Sequence, residues 1–229
     1  MKIGGLQKVS LIDYPGKISA VVFTQGCNFR CPYCHNPELV DPKRYRECLP
    51  EDEISSYLEK RRGKLQAVVV TGGEPTIQGD IISFVQRVKA MGYLMKLDTN
   101  GSRPEVLQEL IELKLLDYIA MDVKGPIGKY PAVTCVPVQV EIIKRSIEII
   151  KTSGVDYEFR TTIVKSQIEG ADILAIGNLI GRIPLYALQR YVPSMPLDER
   201  FIDKVSFSRE ELDALRVELE KSCDRIVIR

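Results

Sequence analysis

With 229 residues, the chain can bury one sizeable core and is short for two full domains. Charged residues make up 28% and apolar ones 45%, as in soluble globular proteins, and a formal net charge of +1 excludes a global basic field for nucleic acid. The start, Met1-Lys2-Ile3-Gly4-Gly5, lacks the apolar core of a secretory signal, and no apolar run reaches membrane-spanning length, so the cytoplasm is the expected compartment and no membrane partner is expected.

In chain order, the β-branched, apolar runs 3–12 and 17–24 flank Asp13-Tyr14-Pro15-Gly16, a turn sequence, and predict two strands. The second is the first core strand, and its exit is the loop Gln25-Gly26-Cys27-Asn28-Phe29-Arg30-Cys31-Pro32-Tyr33-Cys34-His35-Asn36. A polar stretch, 41–49, leads to a helix near 50–62. Pro50 suits its first position, Glu51, Asp52 and Glu53 its positive end, Lys60, Arg61 and Arg62 its negative end, and Gly63 stops it. Run 66–71 is continuously apolar, as in a parallel strand buried on both faces, and leaves through Gly72-Gly73-Glu74-Pro75.

Helix 79–91 and strand 93–98 follow, with Thr99-Asn100-Gly101 at the exit; then come helix 104–114 and strand 118–122, leaving through Val123-Lys124-Gly125-Pro126. A long loop holding Gly128, Pro131 and Cys135 runs to Val136. Helix 138–152 carries Val140, Ile143, Ile147 and Ile150 at helical spacing. Strand 156–164 bears Arg160, helix 169–180 follows, and strand 184–192 ends at Val192-Pro193. A proline-bearing loop precedes a final helix, 208–221, where Ser208 and Glu211 form a capping box, and 226–228 reads as a short last strand.

Six strand–helix units predict an α/β fold with a parallel sheet, too few for the closed eight-stranded barrel. One domain over 1–229 is expected, with 1–17 as an N-terminal extension, 18–192 as the core, and 193–229 as a C-terminal loop, helix and strand.

Three of six cysteines, Cys27, Cys31 and Cys34, form C-x3-C-x2-C. Four chemistries compete for them. Structural zinc wants four ligands, and the only histidine, His35, directly follows Cys34, which is awkward for the same ion. Cys31 to His35 fits the C-x-x-C-H of c-type haem but leaves Cys27 idle and needs export. A disulfide does not suit a reducing compartment. A 4Fe–4S cluster held by three thiolates, one iron left open, fits the spacing best. Cys48, Cys135 and Cys223 stand alone and read as small buried hydrophobes, with no second cluster motif.

Ligands of parallel α/β sheets sit at strand C-termini, and the unusual residues fall there. Gly72, Gly73 and Glu74 are either a tight turn or a receptor for a cationic amine, through backbone groups and the Glu74 carboxylate. Asp98 and Asp122 end adjacent strands, so they either cap helices or need a counter-charge or a shared proton. Arg160 is either an exposed strand residue paired with Glu158 or an oxyanion-recognising fork. Tyr33 is either loop packing or part of a pocket.

The C-x3-C-x2-C loop resembles that of the radical S-adenosylmethionine (SAM) superfamily, and Tyr33-Cys34-His35-Asn36-Pro37 resembles the activating enzymes of glycyl-radical enzymes. Leu11-Ile12-Asp13-Tyr14-Pro15-Gly16 is most similar to the activating proteins of anaerobic ribonucleoside-triphosphate reductases. The resemblance implies a partial open (β/α)6 barrel of radical SAM type. It also implies one 4Fe–4S cluster on Cys27, Cys31 and Cys34 with SAM on the open iron. The SAM amino group would meet Gly72, Gly73 and Glu74. Lys124 would lie near its carboxylate, and Arg160 near its carboxylate or ribose. Tyr33 and the His35 backbone would flank adenine. A monovalent cation would lie between Asp98 and Asp122. The family's sixth-strand histidine is missing; Gln189 stands in that neighbourhood.

The implied activity is reductive cleavage of SAM and installation of a glycyl radical on a partner, anaerobic ribonucleotide reductase, with an external low-potential electron donor. The rivals are a radical SAM enzyme acting on a small molecule, such as a deazapurine carboxylate synthase, and a non-catalytic iron–sulfur or zinc protein. The loop 125–136 and the segment 193–200 are candidate contact elements or lids, or else inert connections.

Overall fold

The computed structural model describes residues 1–221 and 223–229. The chain winds through eight strands that lie in the sheet in sequence order: β1 (Ile3–Tyr14), β2 (Lys17–Thr24), β3 (Ala67–Gly72), β4 (Leu94–Thr99), β5 (Tyr118–Asp122), β6 (Asp156–Ile163), β7 (Tyr186–Arg190) and β8 (Ile226–Ile228). Only β1 runs antiparallel to its neighbour; β2 to β8 are parallel. β1 and β8 are the two edges, so the sheet is an open, partial barrel.

The helices are α1 (Pro37–Val40), α2 (Glu51–Lys60), α3 (Ile81–Ala90), α4 (Pro104–Glu112), α5 (Tyr130–Thr134), α6 (Val140–Thr152), α7 (Gly170–Ile180) and α8 (Arg209–Leu219). α2 begins one residue later than expected, with Pro50 as its cap. α8 has the expected capping box: the Ser208 Oγ accepts from the Glu211 N–H at 3.2 Å, and the Glu211 carboxylate accepts from the Ser208 N–H at 2.7 Å. α7 has a similar box, Glu169 with Asp172, which was not anticipated.

Two apolar layers explain why the central strands read as continuous apolar runs. Alternate residues such as Val68, Val70, Met95, Leu97, Ile119 and Met121 face the helices in the main core. Val69, Ala67, Val21, Tyr118 and Ala120, with Tyr14, pack on the concave face. Register carries that concave face upward. Val69 pairs with Lys96 and Lys96 with Tyr118; one step higher, Asp98 pairs with Ala120 and Asp122 with Arg160.

The expected long loop before Val136 instead contains a 3-10 turn, Ile127–Lys129, and α5. α5 has only five residues, begins Tyr-Pro and ends at Cys135 with φ 53°, so no helical period could show in it. It matters because it backs the cysteine loop: the Arg30 N–H donates to the Thr134 carbonyl at 2.9 Å, and Phe29 meets Tyr130 edge to face. Of the isolated cysteines, Cys223 is buried as expected, Cys48 is half-buried, and Cys135 is exposed, which corrects its reading as a core residue.

Candidate functional site

A cavity of about 290 Å³ opens at the C-terminal ends of the parallel strands. Cys27, Cys31, Tyr33, Cys34, His35, Gly72, Gly73, Glu74, Asp98, Asp122, Lys124 and Arg160 all line it, so every residue singled out from sequence meets at one place. Gln189 also lines it.

The sulfur side comes from the loop that β2 delivers. All three cysteines are free thiols; Cys31 is buried and the others partly so. Burial pushes the Cys27 thiol up to about 11 and the Cys31 thiol up to about 12, and raises Cys34 as well. Such thiols keep their protons until a metal replaces them. The donor set is soft and lacks a fourth sulfur, which suits an iron–sulfur cluster better than tetrahedral zinc. His35 does not supply a fourth ligand: its Nε2 lies 3.1 Å from the Val192 carbonyl, and its ring stacks on Tyr191. Among the described residues, no three of His, Cys, Asp and Glu converge on a single-ion point.

The turn after β3 is held by close backbone approach. Gly72 has φ +110°, and a Cβ there would lie 2.4 Å from the Thr24 nitrogen; one on Gly73 would lie 1.9 Å from the Gly26 oxygen. Any side chain at either position would push the β3 exit off the cysteine loop. Glu74, expected to help receive a cationic amine, is also bonded within the fold. Its Oε1 accepts from the Thr76 N–H at 3.1 Å and the Thr99 hydroxyl at 2.7 Å, as well as from the Thr76 hydroxyl, and its Oε2 accepts from the Asn100 N–H at 2.6 Å. Burial still raises its pKa, because these four bonds only partly offset desolvation. Glu74 therefore clamps the ends of β3 and β4, with capacity left on Oε2 alone.

The opposite wall is an ion network. Arg160 donates from Nε to Asp122 at 2.9 Å and from Nη1 to Asp98 at 3.1 Å. Lys96 reaches Asp98 at 2.6 Å and Lys124 reaches Asp122 at 3.2 Å. Burial alone would raise both carboxyls, but Arg160 with Lys96 holds Asp98 below its usual value, and Arg160 with Lys124 holds Asp122 at about 2. The side-chain counter-charge between the two aspartates is thus the Arg160 guanidinium, at the place where the sequence resemblance implies a monovalent cation. Three cations face two carboxylates, leaving one excess positive charge beside the cavity.

Arg160 does not pair with Glu158. That carboxylate, 1% exposed, receives both terminal nitrogens of Arg229, at 2.9 and 2.7 Å. Lys96, Arg229 and the pairing of Arg229 with Glu158 were missed from sequence. Lys96-Leu97-Asp98 and Glu158-Phe159-Arg160 each put opposite charges two apart, on one face of a buried strand, and that pattern was the available signal. The Tyr33 hydroxyl is buried without a hydrogen-bond partner among the described residues, a polar atom facing a place where a ligand could satisfy it. The segment 193–200 touches the cysteine loop, the Asp198 N–H donating to the Pro32 carbonyl at 3.0 Å.

Comparison with known proteins agrees with this geometry. Residues 21–169 match the radical SAM superfamily profile. A Methanocaldococcus jannaschii protein provisionally named a glycyl-radical enzyme activating enzyme is 38% identical over 99% of this chain and 95% of its own length. The pyruvate formate-lyase-activating enzyme of Listeria monocytogenes is 33% identical over 54% of this chain and 53% of its own. The crystal structure of Streptococcus suis SuiB superposes with a TM-score of 0.67 at 15% identity, covering 91% of this chain and 48% of SuiB, a likeness of fold.

Proposed function

The chain belongs to the radical SAM superfamily, among the glycyl-radical enzyme activating enzymes that work with a 4Fe–4S cluster and SAM, and from that premise we propose that it installs the glycyl radical of an anaerobic ribonucleotide reductase. The observation that carries the site assignment is the meeting of three thiols and an ion network with one excess positive charge in a single cavity. When bound, the cluster and SAM supply one-electron cleavage to a carbon-centred radical that can take a hydrogen atom from a glycine Cα.

This chain's residues supply position and electrostatics. Cys27, Cys31 and Cys34 would hold the cluster through their sulfurs. Lys124 and Arg160 present the unbalanced positive charge to the SAM carboxylate, which is the anion the network lacks. The free capacity of Glu74 Oε2 and backbone groups of the Gly72–Gly73 turn would receive the amino group, and the Tyr33 hydroxyl would serve the adenosine. Lys96 and the Arg229–Glu158 pair keep the ring of charges in place from below. The apolar concave face beneath them closes the cavity to water from the far end. The electron comes from an external low-potential donor in the cytoplasm; no helix of the described residues is long and apolar enough to cross a membrane.

The choice of partner rests on the likeness of Leu11-Ile12-Asp13-Tyr14-Pro15-Gly16 to the reductase activators. The test is electron paramagnetic resonance on the reconstituted, reduced protein mixed with SAM and either an anaerobic ribonucleotide reductase or a pyruvate formate-lyase. A glycyl doublet in the reductase supports the reading. A doublet only in the lyase overturns the choice of partner and leaves the enzyme class standing.

A further inference from the structure

We propose that Asn100 is a positioning residue for the cluster: its side-chain amide donates an N–H to the Cys27 sulfur and makes the cluster easier to reduce. The inference rests on the assignment of Cys27 as a cluster ligand.

Asn100 leaves β4 and lies buried at the cavity wall, 5% exposed. Its Nδ2 stands 3.9 Å from the Cys27 Sγ and 3.0 Å from the Asn28 Oδ1. Which end of the amide faces the sulfur is settled by the other end. The Oδ1 accepts from the Ser102 backbone N–H at 2.9 Å, and that donor has no use for an amide nitrogen. The Asn28 amide is oriented in turn, because its Oδ1 takes the Asn100 N–H and its Nδ2 donates to the Ser102 Oγ at 2.9 Å. Asn100, Asn28 and Ser102 thus close a ring in which no amide can flip without losing bonds. The backbone of Asn100 is pinned separately by Glu74. The Glu74 clamp thereby acquires a purpose: it fixes the residue that aims at Cys27.

The three sulfurs are not equivalent. Cys27 also accepts the Phe29 N–H at 3.4 Å. Among the described residues, Asn100 is the one side chain that donates to any of the three. Backbone donors come with the loop itself. A side-chain donor can be chosen by sequence, so it is where potential can be tuned. An N–H aimed at a thiolate draws charge from sulfur and favours the reduced cluster, which carries one more negative charge. The electron it helps to accept comes from the external low-potential donor.

The test uses the reconstituted full chain without SAM, and reads the cluster's reduction midpoint by resonance-monitored titration. Asn100→Leu should keep its iron and become harder to reduce by about tenfold, ~59 mV for one electron. Ser102→Ala keeps the backbone N–H that orients Asn100 and should keep the wild-type midpoint. An unchanged midpoint in iron-loaded Asn100→Leu overturns the proposal, as does an equal shift in Ser102→Ala, which would mean a loosened loop. Should Asn100→Leu fail to fold, protein labelled with 15N only at asparagine side-chain amides decides. A 15N coupling to the reduced cluster that persists in the double variant Asn28→Ala, Asn36→Ala supports the contact, and its absence overturns it. Wild-type protein that binds no iron would overturn the cluster assignment itself, a failure readily told from the others.

Discussion

The concave face of the sheet is built from the same strands at its lower and upper ends, with opposite contents. Below lie Tyr14, Val21, Ala67, Val69, Tyr118 and Ala120, an apolar plug. Two residues above Ala120 on β5 the same face carries Asp122, paired with Lys124 and with Arg160, which also holds Asp98. Lys96 is the seam, since its ammonium lies over the Tyr118 ring, 5.8 Å from the centroid, and also reaches Asp98. The contrast teaches that one strand stabilises with its lower half and does chemistry with its upper half, and a single two-residue step separates them. Changes below should therefore cost stability, and changes above should cost ligands.

The largest effect that would sharpen this contrast is the loss of a sulfur. Cys31→Ala should bind no intact 4Fe–4S cluster and form no 5′-deoxyadenosine, while its denaturation midpoint stays near wild type, as iron analysis and urea titration would show. Arg160→Met should cross the boundary. It removes the guanidinium between two partly buried carboxylates, each of which keeps one lysine, so about 2–3 kcal/mol of stability should go together with SAM binding. Denaturation beside equilibrium binding would check it, and a fully stable Arg160→Met would break the claim that the network is held by that residue.

Val69→Ala, below the seam, should cost about 2 kcal/mol for the lost methyl groups and the cavity left behind. Iron content and SAM cleavage measured well below its melting temperature should match wild type. The smallest effect concerns acid. Asp98 and Asp122 are held below their usual value, Asp122 at about 2, so their contribution is complete above pH 3.8 and is lost as pH falls toward 2. In Arg160→Met these carboxyls rise, and acid unfolding should begin at higher pH than in wild type.

The parts of this molecule that were legible in its sequence are local ones. Val68-Val69-Val70 declares a strand buried on both sides without any partner in view, and C-x3-C-x2-C declares its sulfur chemistry within eight residues. The positions of Asp98, Asp122 and Lys124 followed from the rule that parallel strands deliver their chemistry at their C-terminal ends. What stayed hidden depends on register. That Arg160 lies beside Asp122 is a fact of β5–β6 pairing, and that Arg229 reaches Glu158 joins residues 71 apart. Until the register is known, two aspartates at neighbouring strand ends only call for a counter-charge; once it is known, Arg160 is seen to reach both. The ring of Asn28, Asn100 and Ser102 is similar, since each residue alone reads as an ordinary loop amide or hydroxyl. The helix at 130–134 was hidden for another reason, being too short to show a period.

The most direct test of the central claim, that the upper half of this face holds a cluster and SAM for radical chemistry, is to count iron and 5′-deoxyadenosine in the anaerobically reconstituted, dithionite-reduced protein. About four irons per chain with 5′-deoxyadenosine formed on adding SAM is the predicted result. A filled cluster that binds SAM and leaves it whole, with or without the proposed partner reductase, would contradict it.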